Sequence, residues 1–340
     1  MGVPAVLLYR VTESFLNAQH VVMPQVTGCI ISCLLIHPFM LYLLVPAYGF
    51  LGSGLAVVIT QTCTTIIVFL YIGMKSEHHP LTWPKLSRYY LKKSFRCKPV
   101  QQFVSLSLGG VVALSEWWFW ETVCFTVGSF GVIPLCVHTI AYNIVPLVFM
   151  LPLGISIGLT VRMGSVIASN ADKAKQIAIW CMGFTVLLGL AISIAFYVFQ
   201  KRVILSFTKD DNVIQGCIEI WPNLCVFIFL QFIFGINTGI LRALGMQWPM
   251  AIIVFGCCWC IAMPATAYFS IVRKGYLSSV WIILPSLYFV MQVLLACSYM
   301  FTSWDDISKS IREENLQRSM SPKNQYLRRI GLVNEDTALI

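Results

Sequence analysis

Eight apolar runs, each long enough to cross a bilayer as a helix, constrain this chain more than any motif does. They cover Pro24–Leu44, Gly52–Gly73, Val100–Val127, His138–Val161, Ile177–Phe199, Cys217–Leu241, Trp248–Ile271 and Leu277–Thr302. A hydrocarbon core of about 30 Å needs about 20 apolar residues in a helix, whereas barrel strands would be half as long and alternate in polarity. Lipid offers no partner to a backbone N–H or C=O, so a lone span satisfies its own as a helix. A ninth, weaker run, Gly2–Ala18, is broken by Arg10 and Glu13 and is expected to be an incomplete span. The reading is an all-α polytopic membrane protein. Its 58% hydrophobic and 11% charged residues agree, since a soluble domain carries about a quarter charged.

The net charge of +9 matters through its placement. One cluster of lysines and arginines lies between Met74 and Gln102 (Lys75, Lys85, Arg88, Lys92, Lys93, Arg96 and Lys98), and another follows Thr302. Cations near span ends mark the cytoplasmic side. An even number of spans separates the clusters, so both fall on one face. This basicity reads as topology, and no nucleic-acid partner is expected. Residues 1–74 are expected to hold the first helices, 75–99 a basic cytoplasmic linker, 100–302 six transmembrane helices, and 303–340 a mobile cytoplasmic tail without a further span. The 13 cysteines show no framework spacing and read as small apolar residues. Cys257 and Cys260 lack a second ligand pair, so no metal site is expected. No histidine–carboxylate or cysteine cluster has spacing suited to an enzyme.

Two carboxylates, Glu116 and Glu121, stand inside the third run, in Ser115-Glu-Trp-Trp-Phe-Trp-Glu121. An ionised carboxylate at mid-membrane costs roughly 2.5–3.5 kcal/mol on insertion scales, so it is protonated, paired or facing a wet cavity. On a helix the two are about 140° apart and roughly 7.5 Å along the axis, too far to share one proton. Trp117, Trp118 and Trp120 supply faces that can stack on a cationic aromatic ligand. Further polar residues at span depth are Asn143, Gln231 and Asn237. Pro146, Pro152 and Gly154 would bend the fourth run, unless its small residues serve close helix packing. His37-Pro38 would kink the first run.

An internal repeat organises the chain. Leu16-Asn-Ala18 leading to Pro24 matches Leu241-Arg-Ala243 leading to Pro249, and Gly49-Phe-Leu51-Gly-Ser53 matches Gly275-Tyr-Leu277-Ser-Ser279, at nearly the same spacing. The counterparts of the third, fourth and fifth runs would then lie before Met1. The first copy is therefore expected to keep only its last three helices.

These motifs resemble the multidrug and toxin extrusion (MATE) family over about Leu8 to Phe301. The Glu-Trp-Trp-x-x-Glu of the family's seventh helix is similar to Glu116–Glu121. Met150-Leu-Pro-Leu-Gly-Ile-Ser156 with Val161-Arg-Met-Gly164 resembles its eighth helix, and Gly239-Ile-Leu-Arg-Ala-Leu-Gly-Met-Gln247 the end of its tenth. Phe15-Leu-Asn-Ala-Gln19 with Met23-Pro-Gln25 resembles the junction of its fourth and fifth. The resemblance implies a two-lobe helical bundle, here with a truncated N-lobe and a complete six-helix C-lobe. It implies export of organic cations or drugs in exchange for protons or sodium, without a cofactor. Glu116 and Glu121 would be the coupling carboxylates, with Trp117, Trp120, Tyr142, Asn143, Gln231 and Asn237 around the substrate. Two departures stand out: Tyr142-Asn143 replaces a Tyr-Glu pair of many eukaryotic members, and Gln231 replaces an acid. A carboxyl shielded from water holds its proton more tightly, and a bound cation would expel it. The other readings are a transport-inactive chain associating with full-length copies, and a lipid flippase. The membrane would be the plasma membrane or that of an acidic organelle.

Overall fold

The computed structural model describes residues 2–19, 21–75 and 97–319. Eight of its helices are long and apolar enough to cross a membrane, and each contains or overlaps one of the eight apolar runs. The described residues form no strand. The chain divides into two compact units, residues 1–96 and 97–340. Most of the basic linker expected between them lies outside the described residues, although Lys75 ends one helix and Cys97 begins the next.

In the first unit, α1 (Val3–Ala18) buries Tyr9, Thr12 and Leu16 on one face. Tyr9 and Leu16 pack with Val68 and Ile72 of α4 (Phe50–Lys75). Between them runs a span in three parts: α2 (Met23–Ile31), a π-helical stretch (Ser32–Ile36) and α3 (His37–Tyr48). Pro38 explains the wide turn. It has no N–H for the carbonyl four residues back, and its ring pushes that carbonyl aside. Gly49, at φ 57°, closes the span in a conformation other residues rarely take.

The second unit repeats this order. Here α10 (Asp211–Ala243) takes the place of α1. The interrupted span is α11 (Gln247–Phe255), a π-helical stretch (Gly256–Ala262), α12 (Met263–Ala267) and a second π-helical stretch (Tyr268–Val272). α13 (Tyr276–Met300) then takes the place of α4. Pro264 follows the first π stretch here as Pro38 follows its own, at the same spacing that relates Gly49 to Gly275. The repeat therefore extends to backbone winding.

The second unit begins with α5 (Cys97–Ala113) and α6 (Ser115–Gly128), which meet at Leu114, so the third run is two helices. It continues through α7 (Val132–Ile167), α8 (Ala171–Val198) and a short α9 (Gln200–Phe207). Asn170 caps α8 by accepting from the Lys173 N–H, and Asp210 caps α10 through the N–H groups of Asn212 and Val213. Unpaired outward faces, such as Trp180, Leu187 and Phe125, are exposed as lipid-facing residues would be.

The most buried span is α10, which packs chiefly on α7. Small residues bring the two backbones together. A Cβ on Gly235 would lie 2.9 Å from Pro152 Cβ, and one on Gly239 would lie 2.6 Å from Ser156 Oγ. Thr160 and Arg242 lace the seam: Thr160 Oγ1 donates to the Gly239 carbonyl at 3.0 Å, and Arg242 Nη2 to Ser156 Oγ at 2.9 Å. α7 stays helical through Pro146 and Pro152, while Gly154 and Gly158 face open space.

One expectation is corrected. The tail after residue 302 is not wholly unstructured: Trp304–Ser319 forms α14. Trp304 is buried and donates its indole N–H to the Tyr299 carbonyl, and Arg312 Nε donates to the Ala168 carbonyl at the α7–α8 turn. Trp304, Ile307 and Ile311 recur at helical spacing and pack beside α7, α8 and α10. Residues 320–340 lie outside the described ones. Trp304→Ala is expected to undock α14, because Trp-to-Ala changes in packed sites cost about 3–5 kcal/mol. Limited proteolysis should then cut near Ser303 many times faster while the spans stay protected.

Candidate functional site

The start of α6 sets the site. Leu114 breaks the third run, and the new helix turns Glu116 inward, leaving it 6% exposed, while Trp118 faces out at 65%. The Tyr288 hydroxyl of α13 donates to Glu116 Oε1 at 2.6 Å. The Trp120 indole N–H donates to that same hydroxyl at 3.0 Å. Gln231 of α10 also faces the carboxylate. Among the described residues no lysine or arginine pairs with it. The buried acid is thus held by neutral donors, and its charge is free for a cation or proton.

A small cavity of about 30 Å³ opens beside it, lined by Glu116, Trp117, Trp120, Tyr142, Val145, Pro146, Phe149 and Gln231. That is room for roughly one or two waters and for no drug-sized ligand. Gln231 Oε1 is buried without a hydrogen-bond partner. The π stretch of the interrupted span closes the opposite side: Cys258 is buried next to Glu116 and Tyr288, and Trp259 donates to the Ser115 carbonyl at 3.2 Å.

The other acid stands apart. Glu121 is exposed and accepts a hydrogen bond from the Tyr142 hydroxyl of α7 at 2.7 Å. Tyr142 lines the Glu116 cavity and so touches both environments. Of the remaining polar positions, Asn143 is exposed and bonds to its own helix at the Thr139 carbonyl. Asn237 is 1% exposed and belongs to a separate network, donating to Gln292 Oε1 at 3.1 Å and accepting from Tyr299 at 3.0 Å. Neither lines the cavity. Pro146 does, and Pro152 lies on the α7–α10 seam.

Around Trp120 the structure adds residues that, Tyr142 apart, the motifs do not mark. Its ring contacts His138, Tyr142, Phe227, Trp281 and Tyr288, with centroids 5.1 to 6.5 Å apart. Tyr288 carried one signal in sequence, a phenol in the middle of an apolar span. Tyr288→Phe removes the donor to Glu116 and the acceptor of Trp120. Each of the two orphaned buried groups costs about 1–3 kcal/mol, so thermal unfolding in detergent should show a loss of roughly 2–6 kcal/mol, and Trp120→Phe a smaller one.

Comparison with known proteins assigns this architecture. The chain superposes on the crystal structure of the eukaryotic MATE transporter AtDTX14 with a TM-score of 0.79 at 18% identity, covering 88% of this chain and 66% of that one. An outward-facing multidrug resistance MATE transporter of the MOP superfamily aligns at a TM-score of 0.66 and 18% identity, covering 85% and 63%. The fold is that of MATE transporters. Residues 110–268 match the MatE family model. The chain is 28% identical to multidrug and toxin extrusion protein 1 of Oryctolagus cuniculus over 251 residues, 72% of this chain and 43% of that protein. It is 26% identical to multidrug and toxin extrusion protein 2 of Pongo abelii over 325 residues, 89% and 52%. The chain is similar to these proteins and spans about half the length of the curated relatives it matches.

Proposed function

We propose that this chain takes part in secondary active export of organic cations, with Glu116 exchanging a bound proton, or sodium, for the substrate. The observation that carries the reading is a carboxylate buried inside a span, held by a tyrosine hydroxyl and facing an aromatic cavity, with no cationic partner among the described residues. Proton and organic cation compete for one negative charge, so binding of either excludes the other, and exchange follows. Homology to proteins named for multidrug and toxin extrusion supports the class of ligand. Glu121, nearer the surface on the Tyr142 hydroxyl, would relay or attract cations. The small size of the cavity implies that substrate enters a different, wider state. The basic clusters support a cytoplasmic tail and linker.

The test is uptake of a fluorescent organic cation into proteoliposomes carrying the chain, with and without an imposed pH gradient. Gradient-driven uptake is expected; gradient-independent leakage equal to empty liposomes overturns the reading. A second reading is favoured by the half-length match: the chain acts only in association with a full-length copy. Co-purification with a full-length relative from the same cell, together with uptake only in its presence, would support it.

A further inference from the structure

Inside the same aromatic cluster lies a histidine that the exchange mechanism does not use. His138, in the second turn of α7, is 0% exposed, and neither ring nitrogen has a hydrogen-bond partner. Trp120 stacks on it with planes 20° apart, Tyr142 stacks with planes 22° apart, and Trp281 approaches to 5.8 Å. The Trp281 indole N–H is also buried and unpartnered. Three polar atoms in adjoining rings thus lack any protein partner, whereas most buried polar groups of folded proteins find one. His37, by contrast, pairs with Thr60.

We propose that His138 is a second proton-binding site of this unit, separate from Glu116. The bare nitrogen of the neutral imidazole takes up one proton, and the imidazolium is held among the faces of Trp120, Tyr142 and Trp281. Aromatic faces attract a cation, most strongly when it is withdrawn from water. The same cage accepts the neutral ring by stacking, so both protonation states fit one shape. Each of its three sides ends in a polar group. On its own helix stands Tyr142, whose hydroxyl bonds to the exposed Glu121 of α6. From α6 comes Trp120, and from α13 come Trp281 and Tyr288, whose hydroxyl bonds to Glu116. From α10 the cluster receives Phe227, with the titratable Cys217 buried in the same core and Glu219 exposed. Two carboxylates therefore flank the cage, each one tyrosine hydroxyl away, and no cation does among the described residues. Glu121, exposed and bonded to the Tyr142 hydroxyl, puts a carboxylate at the outer end of a ring that stacks on His138.

Asn143 and Gln231 cannot exchange protons, whereas His138, an imidazole in the aromatic cluster beside Glu116, can.

The test reads proton binding and needs no transport. In the full chain in lipid nanodiscs, His20, His37, His78 and His79 are replaced by Gln, leaving His138 as the one isotopically labelled histidine for NMR. Its ring resonances are expected to titrate between roughly pH 4 and 9, and tryptophan emission should fall along the same curve as the imidazolium forms beside Trp120 and Trp281. His138→Phe, which keeps an aromatic ring in the cage, should abolish that emission change. Resonances that stay constant over this range, or an emission titration that survives in His138→Phe, overturn the proposal. Failure of organic-cation uptake would overturn the exchange reading and leave this one standing.

Discussion

Glu116→Gln is expected to bring gradient-driven uptake of an organic cation down to the level of empty liposomes, while expression and helix content stay those of the parent chain. The glutamine is nearly isosteric, and its amide can still accept from the Tyr288 hydroxyl, so the local packing survives. What it loses is the one negative charge lining the cavity among the described residues. Removing one partner of a buried charge pair costs about 2–5 kcal/mol, which is about thirtyfold in affinity at the low end. It also removes the group proposed to bind proton and cation in turn, so the pH gradient is expected to have nothing to act on. Glu121→Gln should do less. That carboxylate is exposed and held through Tyr142, so solvent screens it, and a partial loss of rate is the expected outcome. Equal loss in both variants would place the exchange elsewhere.

Gly239→Val is the change expected to damage the fold most. Its Cβ would meet Ser156 Oγ at 2.6 Å and the Ser156 carbonyl oxygen at 3.0 Å. The hydroxyl can rotate, but the carbonyl is helix backbone and cannot. The two helices must move apart, and with them the Thr160–Gly239 and Arg242–Ser156 bonds. Overpacking costs about 1–3 kcal/mol, and each lost hydrogen bond adds roughly 0.5–1.5 kcal/mol. Gly235→Val should behave alike, against Pro152. Gly154→Val, on the open face of α7, is the control: nothing lies within 4 Å, and a change within about 0.5 kcal/mol is expected. Denaturant or thermal unfolding in one detergent separates the three. Equal destabilisation by Gly154→Val would mean that the effect is helix propensity and not the seam.

The spans were legible because lipid imposes a length and an apolar character that hydropathy reads directly. Their ends were less so: α7 and α10 extend several residues beyond the runs His138–Val161 and Cys217–Leu241, since helices continue into polar sequence where caps such as Asp210 allow it. The break at Leu114 and the docking of α14 left little trace, because a single turn or three apolar residues among charges does not stand out in a window average. Glu116 announced itself as a charge in an apolar run. Its neighbours did not. Tyr288 lies 172 positions away from Glu116, and His138 looks like the edge of a span until α6 and α13 close around it. Asn143 and Asn237 looked equivalent to Gln231 in sequence, and only the rotation of α7 and α10 about their axes separates them.

The π-helical stretch at Gly256–Ala262 gives the wall behind Glu116 a property the other walls described for this unit lack. A π turn holds one residue more than an α turn, so its surplus can migrate along the helix as a dislocation migrates through a crystal row. Passage of one such dislocation rotates the residues it crosses by about 100° and advances them by about 1.5 Å, while the ends of the span stay anchored. Cys258 and Trp259 sit in that stretch, one against Glu116 and Tyr288 and the other on the Ser115 carbonyl. The surface facing the acid can therefore be exchanged for another by sliding a fault within one helix, leaving the α7–α10 seam untouched.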